Sequence, residues 1–177
     1  MYKLNIIAKK RELREKYRKV RKEISEDFAI RAAGLIAEAF IENIIISESE
    51  IIAGYIPRGG EINVIPLMQK LQDLGHKIVV PIVDKNSDCL LFQEWKTANQ
   101  IENYLVPSIV ITPLIAFDQN QNRLGFGGGW YDRTIEKLRP LGCKFIGVAY
   151  DLQFCKQLPI EDHDQALDNI VTVYDKR

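Results

Sequence analysis

The stretch "SIVITPLIAFDQNQNRLGFGGGWYDR", residues 108–133, decides the fold of this chain. It opens with an almost unbroken apolar run, 108–117, which is typical of a central β-strand covered on both faces. Four glycines then lie within five positions, and a helical pattern begins directly after them at 130. Glycines this dense indicate a backbone that bends sharply or closely approaches another group. The stretch therefore predicts a strand, a tight loop and a helix in succession.

Strands and helices alternate on both sides of this stretch. Further strands are expected at 50–57, 77–83, 89–95, 144–150 and 169–174, and helices at 8–24, 26–44, 61–75 and 130–140. This order predicts one α/β domain over residues 1–177, with a mostly parallel central sheet wrapped by helices. Ligands of such open sheets bind beyond the carboxyl ends of the strands. The turn at 57–60, the glycine loop and the segment 150–153 all follow strands, so we expect them on one rim.

Composition and charge restrict the function classes. The 177 residues are 46% hydrophobic and 27% charged, as in ordinary soluble domains. No apolar run approaches the roughly 18 residues that span a bilayer. An apolar secretory core is also absent from the start of the sequence, which predicts a cytoplasmic protein without a membrane partner. The three cysteines, Cys89, Cys143 and Cys155, form no CxxC pair and are expected to be free thiols.

The neutral net charge hides an asymmetry. Residues 1–26 carry ten Lys or Arg and four Glu, a balance of +6, so the remainder balances at −6. Leu13, Tyr17, Val20 and Ile24 recur at helical spacing, so one face of this basic helix is expected to dock. Lys10 and Arg14 share a face one turn apart, where solvent exposure is the default. With a phosphate-binding loop nearby, the two side chains are instead expected to close over a small polyanion. The pI of about 6.7 gives weak support for nucleic-acid binding.

The glycine loop favours an anion. A loop that enters a helix N-terminus offers unpaired backbone N–H groups and the positive end of the helix dipole. Arg123, just before the loop, carries a guanidinium that suits phosphate oxygens. The loop matches neither the P-loop, since it lacks the GK[ST] ending, nor the dinucleotide fingerprint. The alternative is a tight turn without a ligand.

Carboxylates supply the remaining candidates. Asp132, in the first turn of the helix, either compensates the helix dipole or binds magnesium beside phosphates, which requires a second carboxylate. The segment 161–168 offers four acids, Glu161, Asp162, Asp164 and Asp168. Glu61 either favours a helix dipole or accepts hydrogen bonds from a heteroaromatic ligand.

With only two histidines, neither a Ser-His-Asp triad nor a zinc site has its usual spacing, which argues against a covalent hydrolase. His163 is expected to be structural or solvent-facing.

The ordered motifs resemble one enzyme family. "KRELR" at 10–14, "GGEI" at 59–62, "TPLIAFDQNQNRLGFGGGWYDR" at 112–133 and "LPIEDHDQALDNIVT" at 158–172 occur in the order found in 5-formyltetrahydrofolate cyclo-ligases, also called 5,10-methenyltetrahydrofolate synthetases. The resemblance implies a single-domain Rossmann-like three-layer α/β sandwich. It also implies an ATP- and Mg²⁺-dependent conversion of 5-formyltetrahydrofolate to 5,10-methenyltetrahydrofolate. In that reaction the formyl oxygen takes the γ-phosphate, and N10 closes the ring as phosphate leaves.

The resemblance assigns roles to individual positions. Lys10 and Arg14 match ATP contacts, Glu61 matches the residue that holds the pterin, and Ile56 matches an apolar folate contact. Asp132 and Asp164 match the magnesium-associated acids. The remaining ATP-binding positions form one stretch, Arg123, Leu124, Gly125, Phe126, Gly127, Gly128, Gly129, Trp130 and Tyr131, of which Phe126 to Trp130 also border the folate.

The loop departs from the family pattern at three positions. Some members carry Arg and Lys where this chain has Phe126 and Gly128, and Trp130 stands where Tyr or Phe is more usual. Phosphate charge is then expected to be met by Arg123, Lys10, Arg14, magnesium and backbone amides.

Two functions compete with this hypothesis. One is an RNA-binding module that lacks catalysis, and the other is a sugar-phosphate isomerase that consumes no ATP. The favoured partners are ATP and 5-formyltetrahydrofolate, without nucleic acid, in a monomer or weak dimer.

Overall fold

The computed structural model describes residues 2–95 and 104–173, with side chains from residue 5 onward. Its helices are α1 (Tyr2–Lys22), α2 (Glu26–Asn43), α3 (Ile65–Asp73) and α4 (Trp130–Leu138), with short 3₁₀ turns at Arg139–Leu141 and Asp151–Gln153. Its strands are β1 (Ile51–Ala53), β2 (Lys77–Ile82), β3 (Leu91–Glu94), β4 (Ile109–Thr112), β5 (Ala116–Phe117), β6 (Arg123–Leu124), β7 (Lys144–Tyr150) and β8 (Asn169–Val173).

Six strands form the central sheet in the order β3-β2-β1-β4-β7-β8. Every neighbouring pair is parallel except β2 and β3, which run antiparallel at one edge. In the centre Ile52 lies beside both Ile78 and Ile109. The prediction of a mostly parallel sheet is confirmed. Because the parallel strands run in the same direction, their carboxyl ends lie on one rim.

Helices cover both faces of the sheet and complete three layers. On one face Phe40 of α2 and Leu67 of α3 pack with Ile111 in a single buried cluster. On the other face Ile135 of α4 packs with Phe145. Fully burying an apolar side chain of this size contributes about 1.5–3 kcal/mol, so the two clusters are the main source of stability. The predicted layered α/β fold is confirmed.

Helix α1 lies across the rim and covers neither face of the sheet. Tyr17 is buried with Leu124 and Leu158, and its hydroxyl donates to the Phe154 carbonyl at 2.7 Å. The predicted docking face of the helix therefore packs beside the glycine-loop hairpin, and the N-terminal helix forms a wall above the ends of the strands.

The three segments expected on one rim lie there. Arg21 donates to the Gly59 carbonyl at 2.8 Å, in the turn after β1, and to the Leu114 carbonyl at 3.4 Å, after β4. Gln153, after β7, donates to the same Leu114 carbonyl at 2.9 Å. This chain of hydrogen bonds joins the ends of three parallel strands.

The strand predicted at 108–117 is wrong as a single element. The sheet strand β4 ends at Thr112, and β5 instead pairs antiparallel with β6 in a separate two-stranded hairpin. Pro113 has no N–H to donate to a sheet, which favours a break at this position. The buried Asp118 carboxylate accepts bonds from the Asn120 and Asn122 amides and fixes the hairpin turn. The hairpin then leads the glycine loop over the rim.

Several further boundaries differ from the prediction, and α1 spans Tyr2–Lys22 where a helix over 8–24 was expected. Strand β1 spans 51–53 and not 50–57, and α3 begins at Ile65 and not at 61. Pro66, in the first turn of α3, suits a helix start because its missing N–H would have no partner there. Glu61 therefore lies in the turn before the helix and cannot compensate the dipole of α3 from its first turn.

The cysteine prediction is confirmed. Cys89 and Cys143 are buried, Cys155 is half-buried, and all three are free thiols. Within the described ranges, no helix combines the length and apolar character needed to cross a membrane.

Candidate active site

A cavity of about 850 Å³ lies on the rim between α1, the turn after β1 and the glycine loop. Every position to which the family resemblance gives a role lines it, whereas Asp162 and Asp168, two of the four candidate acids of the segment 161–168, do not. The lining positions with an assigned role are Lys10, Arg14, Ile56, Glu61, Arg123, Leu124, Gly125, Phe126, Gly127, Gly128, Gly129, Trp130, Tyr131, Asp132 and Asp164. The fold thus brings together residues that are separated by up to 154 positions in the chain.

The glycine loop enters α4 through a backbone that favours glycine. Gly129 is the N-cap of α4 with φ of 67°, and Gly127 has φ of 104°. A side chain at either position would strain the backbone, because L-residues rarely adopt these angles. Gly127 also lies against Arg14, whose Cζ would be 3.5 Å from an added Cβ. The loop is therefore held open at the cavity by its own dihedral angles.

Arg14 connects α1 to this loop. Its Nε donates to the Gly125 carbonyl at 2.8 Å. Burial lowers the pKa of Arg14 and Arg18 lowers it further, while Asp164 and Glu161 oppose the shift. A guanidinium remains charged at neutral pH in spite of such shifts. The cavity therefore contains a fixed positive charge directly beside the glycine loop.

Lys10 is buried, contrary to the default expectation of solvent exposure. It is 6% exposed, and its ammonium lies 2.8 Å from Glu161 Oε2 and 2.5 Å from Asp164 Oδ2. The basic helix and the acidic loop at 161–164 thus meet at the cavity. This contact gives the charge asymmetry of the sequence a specific location in the fold.

Asp132 and Arg123 form a second ion pair. Arg123 Nη2 donates to Asp132 Oδ1 at 2.8 Å, and the Gln165 amide donates to the same oxygen at 3.2 Å. The Arg123 side chain is 3% exposed. Arg123 therefore fixes the Asp132 carboxylate at the edge of the cavity, and its contact with a phosphate stays a prediction.

The acidic loop offers a possible metal-binding group. One ligand atom each from Glu161, His163 and Asp164 lies within 4.8 Å of the others. Asp132 does not belong to this group. Of the two acids expected to bind magnesium, Asp132 is therefore paired with Arg123, and Asp164 belongs to the acidic loop. His163 is 71% exposed, as expected for a solvent-facing histidine, although it borders the cavity. Glu161 and His163 thus join Asp164 as candidates to hold a divalent cation.

Glu61 lies on the opposite side of the cavity. Its Oε2 accepts a bond from the Arg58 amide at 2.8 Å, within the turn after β1. Burial raises the pKa of the Glu61 carboxyl, and the hydrogen bond from Arg58 and the charge of Arg21 oppose the rise. Ile56 is 50% exposed at the same side. The turn therefore presents an acceptor beside an apolar surface, a combination that suits a flat polar heterocycle.

Several lining residues were missed by the sequence analysis. Tyr55 and Arg58 flank the candidates Ile56 and Glu61, and the others are Ile7, Pro81, Ile82, Val83, Leu90 and Pro113. Most are apolar residues at strand ends, which carry no chemical motif. Their position directly after the parallel strands β1, β2 and β4 was the available signal, because that rim is where such sheets bind ligands.

Comparisons with known proteins agree on one family. The sequence profile described as the 5-formyltetrahydrofolate cyclo-ligase family matches residues 6–173. The 5-formyltetrahydrofolate cyclo-ligase of Escherichia coli K12 is 30% identical over 139 residues, which cover 68% of this chain and 76% of the relative. That of Haemophilus influenzae is 28% identical and covers 92% and 97%. The structure of a 5,10-methenyltetrahydrofolate synthetase from Mycoplasma pneumoniae superposes with a TM-score of 0.77 at 26% identity, covering 91% of this chain and 96% of that one.

Proposed function

Since the chain belongs to the 5-formyltetrahydrofolate cyclo-ligase family, we propose that the rim cavity is its active site. The enzyme converts 5-formyltetrahydrofolate to 5,10-methenyltetrahydrofolate and consumes ATP, which leaves as ADP and phosphate. The single observation that carries the proposal is the convergence of all the expected ligand-contacting residues on one cavity.

We place the phosphates of ATP between the glycine loop and α1. The amides at the start of α4 and the positive end of its dipole face this part of the cavity, which suits anions. Arg14 supplies a guanidinium that is hydrogen-bonded to the Gly125 carbonyl of this loop. Lys10 is paired with two carboxylates, so in this proposal it turns from them toward phosphate oxygens when ATP binds.

We place the folate at the turn after β1. The Glu61 carboxylate would accept hydrogen bonds from the amide-type donors of the pterin, with Ile56 against the ring. The Phe126 ring is 47% exposed at the tip of the glycine loop, between the two proposed subsites. This arrangement directs the formyl group toward the γ-phosphate.

The proposed chemistry requires positioning more than a protein nucleophile. The formyl oxygen attacks the γ-phosphate, ADP leaves, and an iminium phosphate forms. N10 then attacks the activated carbon, and phosphate departs with the N10 proton. The glycine-loop amides and Arg14 would stabilise the charge on the transferred phosphoryl group. The closely packed rim would hold the two substrates in line and exclude water. This account agrees with a cavity that holds neither a triad nor a cysteine among its described lining residues.

Magnesium fits the acidic loop by donor type. Carboxylate oxygens are the hard ligands that Mg²⁺ prefers, and Glu161 and Asp164 present them at the cavity. When bound, the ion would neutralise charge on the phosphates of ATP. Asp132, held by Arg123 at the edge of the same cavity, would add its carboxylate charge to the site. A cytoplasmic location, a monomer or weak dimer and the lack of a nucleic-acid partner stay predictions.

The proposed function is tested by an absorbance assay. Purified protein with Mg²⁺, ATP and 5-formyltetrahydrofolate is expected to develop the absorbance of the methenyl product, with one ADP released per product. Omission of ATP serves as the control. Steep salt-dependent RNA binding without ATP turnover would replace this function with the RNA-binding alternative.

Replacing Arg14 with alanine is expected to weaken ATP binding by about 10- to 150-fold, because a charge-assisted contact contributes about 1.5–3 kcal/mol. The affinity for 5-formyltetrahydrofolate should change by less than about twofold. Isothermal titration with each ligand alone measures both effects. Arg11→Ala is the matched control, since Arg11 is exposed on the same helix and pairs with Glu15. Equal losses for the two ligands would contradict the placement of ATP beside α1.

Replacing Glu61 with glutamine is expected to weaken folate binding by about tenfold or more, because the charged acceptor is lost.

The same substitution should not lower the stability of the fold at neutral pH. Burial raises the pKa of Glu61 in the folded chain, so the fold loses stability as the pH rises above the lower pKa of the unfolded chain, and this loss is complete once the pH exceeds the folded-state pKa. The variant should therefore melt at or above the parent temperature at pH 7.5. This difference should vanish below about pH 4, where both side chains are neutral. If Glu61→Gln melted below the parent at pH 7.5 but not at low pH, the predicted direction of the stability change would be wrong.

A further inference from the structure

Arg21 is a buried arginine outside the set of residues assigned above. Arg21 is 3% exposed. It lies near the end of α1, above the carboxyl ends of β1 and β4. Its Nε has no hydrogen-bond acceptor among the described residues. A buried guanidinium is costly unless the surrounding groups compensate it. The contacts that Arg21 does make are therefore informative.

The first contact fixes the folate-side turn. Arg21 Nη2 donates to the Gly59 carbonyl at 2.8 Å, two residues before Glu61. Gly60 has φ of 78° and packs on the backbone of Arg21, which an added Cβ would approach to 3.6 Å. Burial lowers the pKa of Arg21, and the nearby Glu61 carboxylate opposes this most strongly. The turn that carries Glu61 thus rests directly on Arg21.

The second contact reaches the glycine loop. The Arg21 guanidinium carbon lies 5.7 Å from the centroid of the Phe126 ring, within the range of a cation–π interaction. Phe126 is the loop residue between Gly125 and Gly127, in the loop proposed to hold the phosphates of ATP. One planar guanidinium therefore contacts the turn of one proposed subsite and the loop of the other.

We propose that Arg21 is a positioning residue that couples the two subsites by linking the 57–61 turn and the Phe126 loop through one side chain. The inference rests on the proposed function, since it requires folate at the turn and ATP at the loop. A ligand that orders either segment lowers the entropic cost of ordering the other, because both are tied to the same side chain. Each substrate should then bind more tightly when the other is present, and by the same factor.

Lysine cannot reproduce this arrangement. Its ammonium is a single point charge, whereas the arginine fork donates to Gly59 and Leu114 while its plane contacts an aromatic ring. Arg21→Lys keeps the positive charge at the end of α1 and removes the shared contact. It therefore separates the coupling role from a general charge effect.

The test measures the dissociation constant of 5-formyltetrahydrofolate with and without saturating Mg²⁺ and the unreactive ATP analogue AMP-PNP. The ratio of the two constants is the coupling factor, which we expect to be on the order of tenfold in the parent protein. Arg21→Lys should reduce it to within about twofold of one. Each ligand alone should still bind within about threefold of the parent. Arg18→Lys is the matched control, because Arg18 is exposed and contacts the same ring at 5.9 Å without touching the turn.

Phe126→Leu provides a second variant that leaves Arg21 in place. It should also lower the coupling factor, and the double variant should lower it no further than either change alone. Full coupling in folded Arg21→Lys or in Phe126→Leu would overturn the inference. A parent protein that binds both ligands without coupling would overturn it as well. If the parent bound neither ligand, the proposed function itself would fail, and the inference with it.

Discussion

Replacing Asp164 with asparagine is expected to lower kcat/KM for MgATP on the order of a thousandfold. The change removes one carboxylate charge from the proposed metal-binding group of Glu161, His163 and Asp164. Metal-assisted charge stabilisation contributes several kcal/mol, and each 1.36 kcal/mol corresponds to about tenfold in rate. Asparagine keeps the size of the side chain and an oxygen that can accept from the Glu161 amide, which donates to Asp164 at 2.7 Å. The fold is therefore expected to survive the substitution.

Two measurements separate a metal role from a structural one. The affinity for Mn²⁺ in the presence of AMP-PNP, followed by electron paramagnetic resonance, should fall by at least about tenfold in Asp164→Asn. The melting temperature should stay within about 4 °C of the parent. Asp162→Asn is the control, since Asp162 is exposed in the same loop and does not line the cavity. Equal losses at positions 162 and 164, or parental Mn²⁺ affinity in Asp164→Asn, would refute the assignment.

Replacing Gly127 with alanine is expected to lower kcat/KM for ATP by about 100-fold. The φ of 104° at Gly127 is rarely adopted by an L-residue, so the loop must shift or store about 1–3 kcal/mol of strain. A shift of about 1 Å in groups that position a substrate can cost about 100-fold in rate. The loop is exposed, so the change should affect the position of the amides more than the free energy of unfolding.

Gly34→Ala is the matched control for this glycine. Gly34 lies inside α2, and an added Cβ would meet nothing within 4 Å. Alanine is about 0.5–1 kcal/mol more favourable than glycine in a helix interior, so this variant should be slightly more stable and fully active. Steady-state kinetics with varied ATP and thermal melting distinguish the two variants. Parental kcat/KM in Gly127→Ala would show that the dihedral angle of this glycine is not required.

The sequence predicts the sheet and the location of the site because both depend on short-range patterns. The apolar run at 108–117 indicates a buried segment, and parallel strands separated by helices must present their carboxyl ends together. The residues of the glycine loop stand out because clustered glycines are rare outside tight backbone approaches. The cavity consequently contains the whole glycine loop and the residues that follow strands β1 and β4 at this rim.

The features that escaped prediction depend on contacts between distant segments. Nothing in "AKKRELR" indicates that Lys10 is buried against Glu161 and Asp164, because that pairing requires α1 to lie across the rim. The break after Thr112 has a local cause in Pro113, but the pairing of Phe117 with Arg123 arises from the hairpin turn at Asp118. Periodicity describes one segment at a time, so it cannot report such partners.

The span between Lys10 and Asp164 has a consequence for synthesis of the chain. The two residues are 154 positions apart, and ribosomes add about 5–20 residues per second. The N-terminal helix therefore emerges roughly 8–30 s before the acidic loop that neutralises it. During that interval its basic residues and the apolar face around Tyr17 lack the partners at 154–164 that they contact in the finished fold. The nascent chain thus carries an unpaired cationic amphipathic helix near the ribosome surface, and the cavity on the rim can form only once residue 164 has been synthesised.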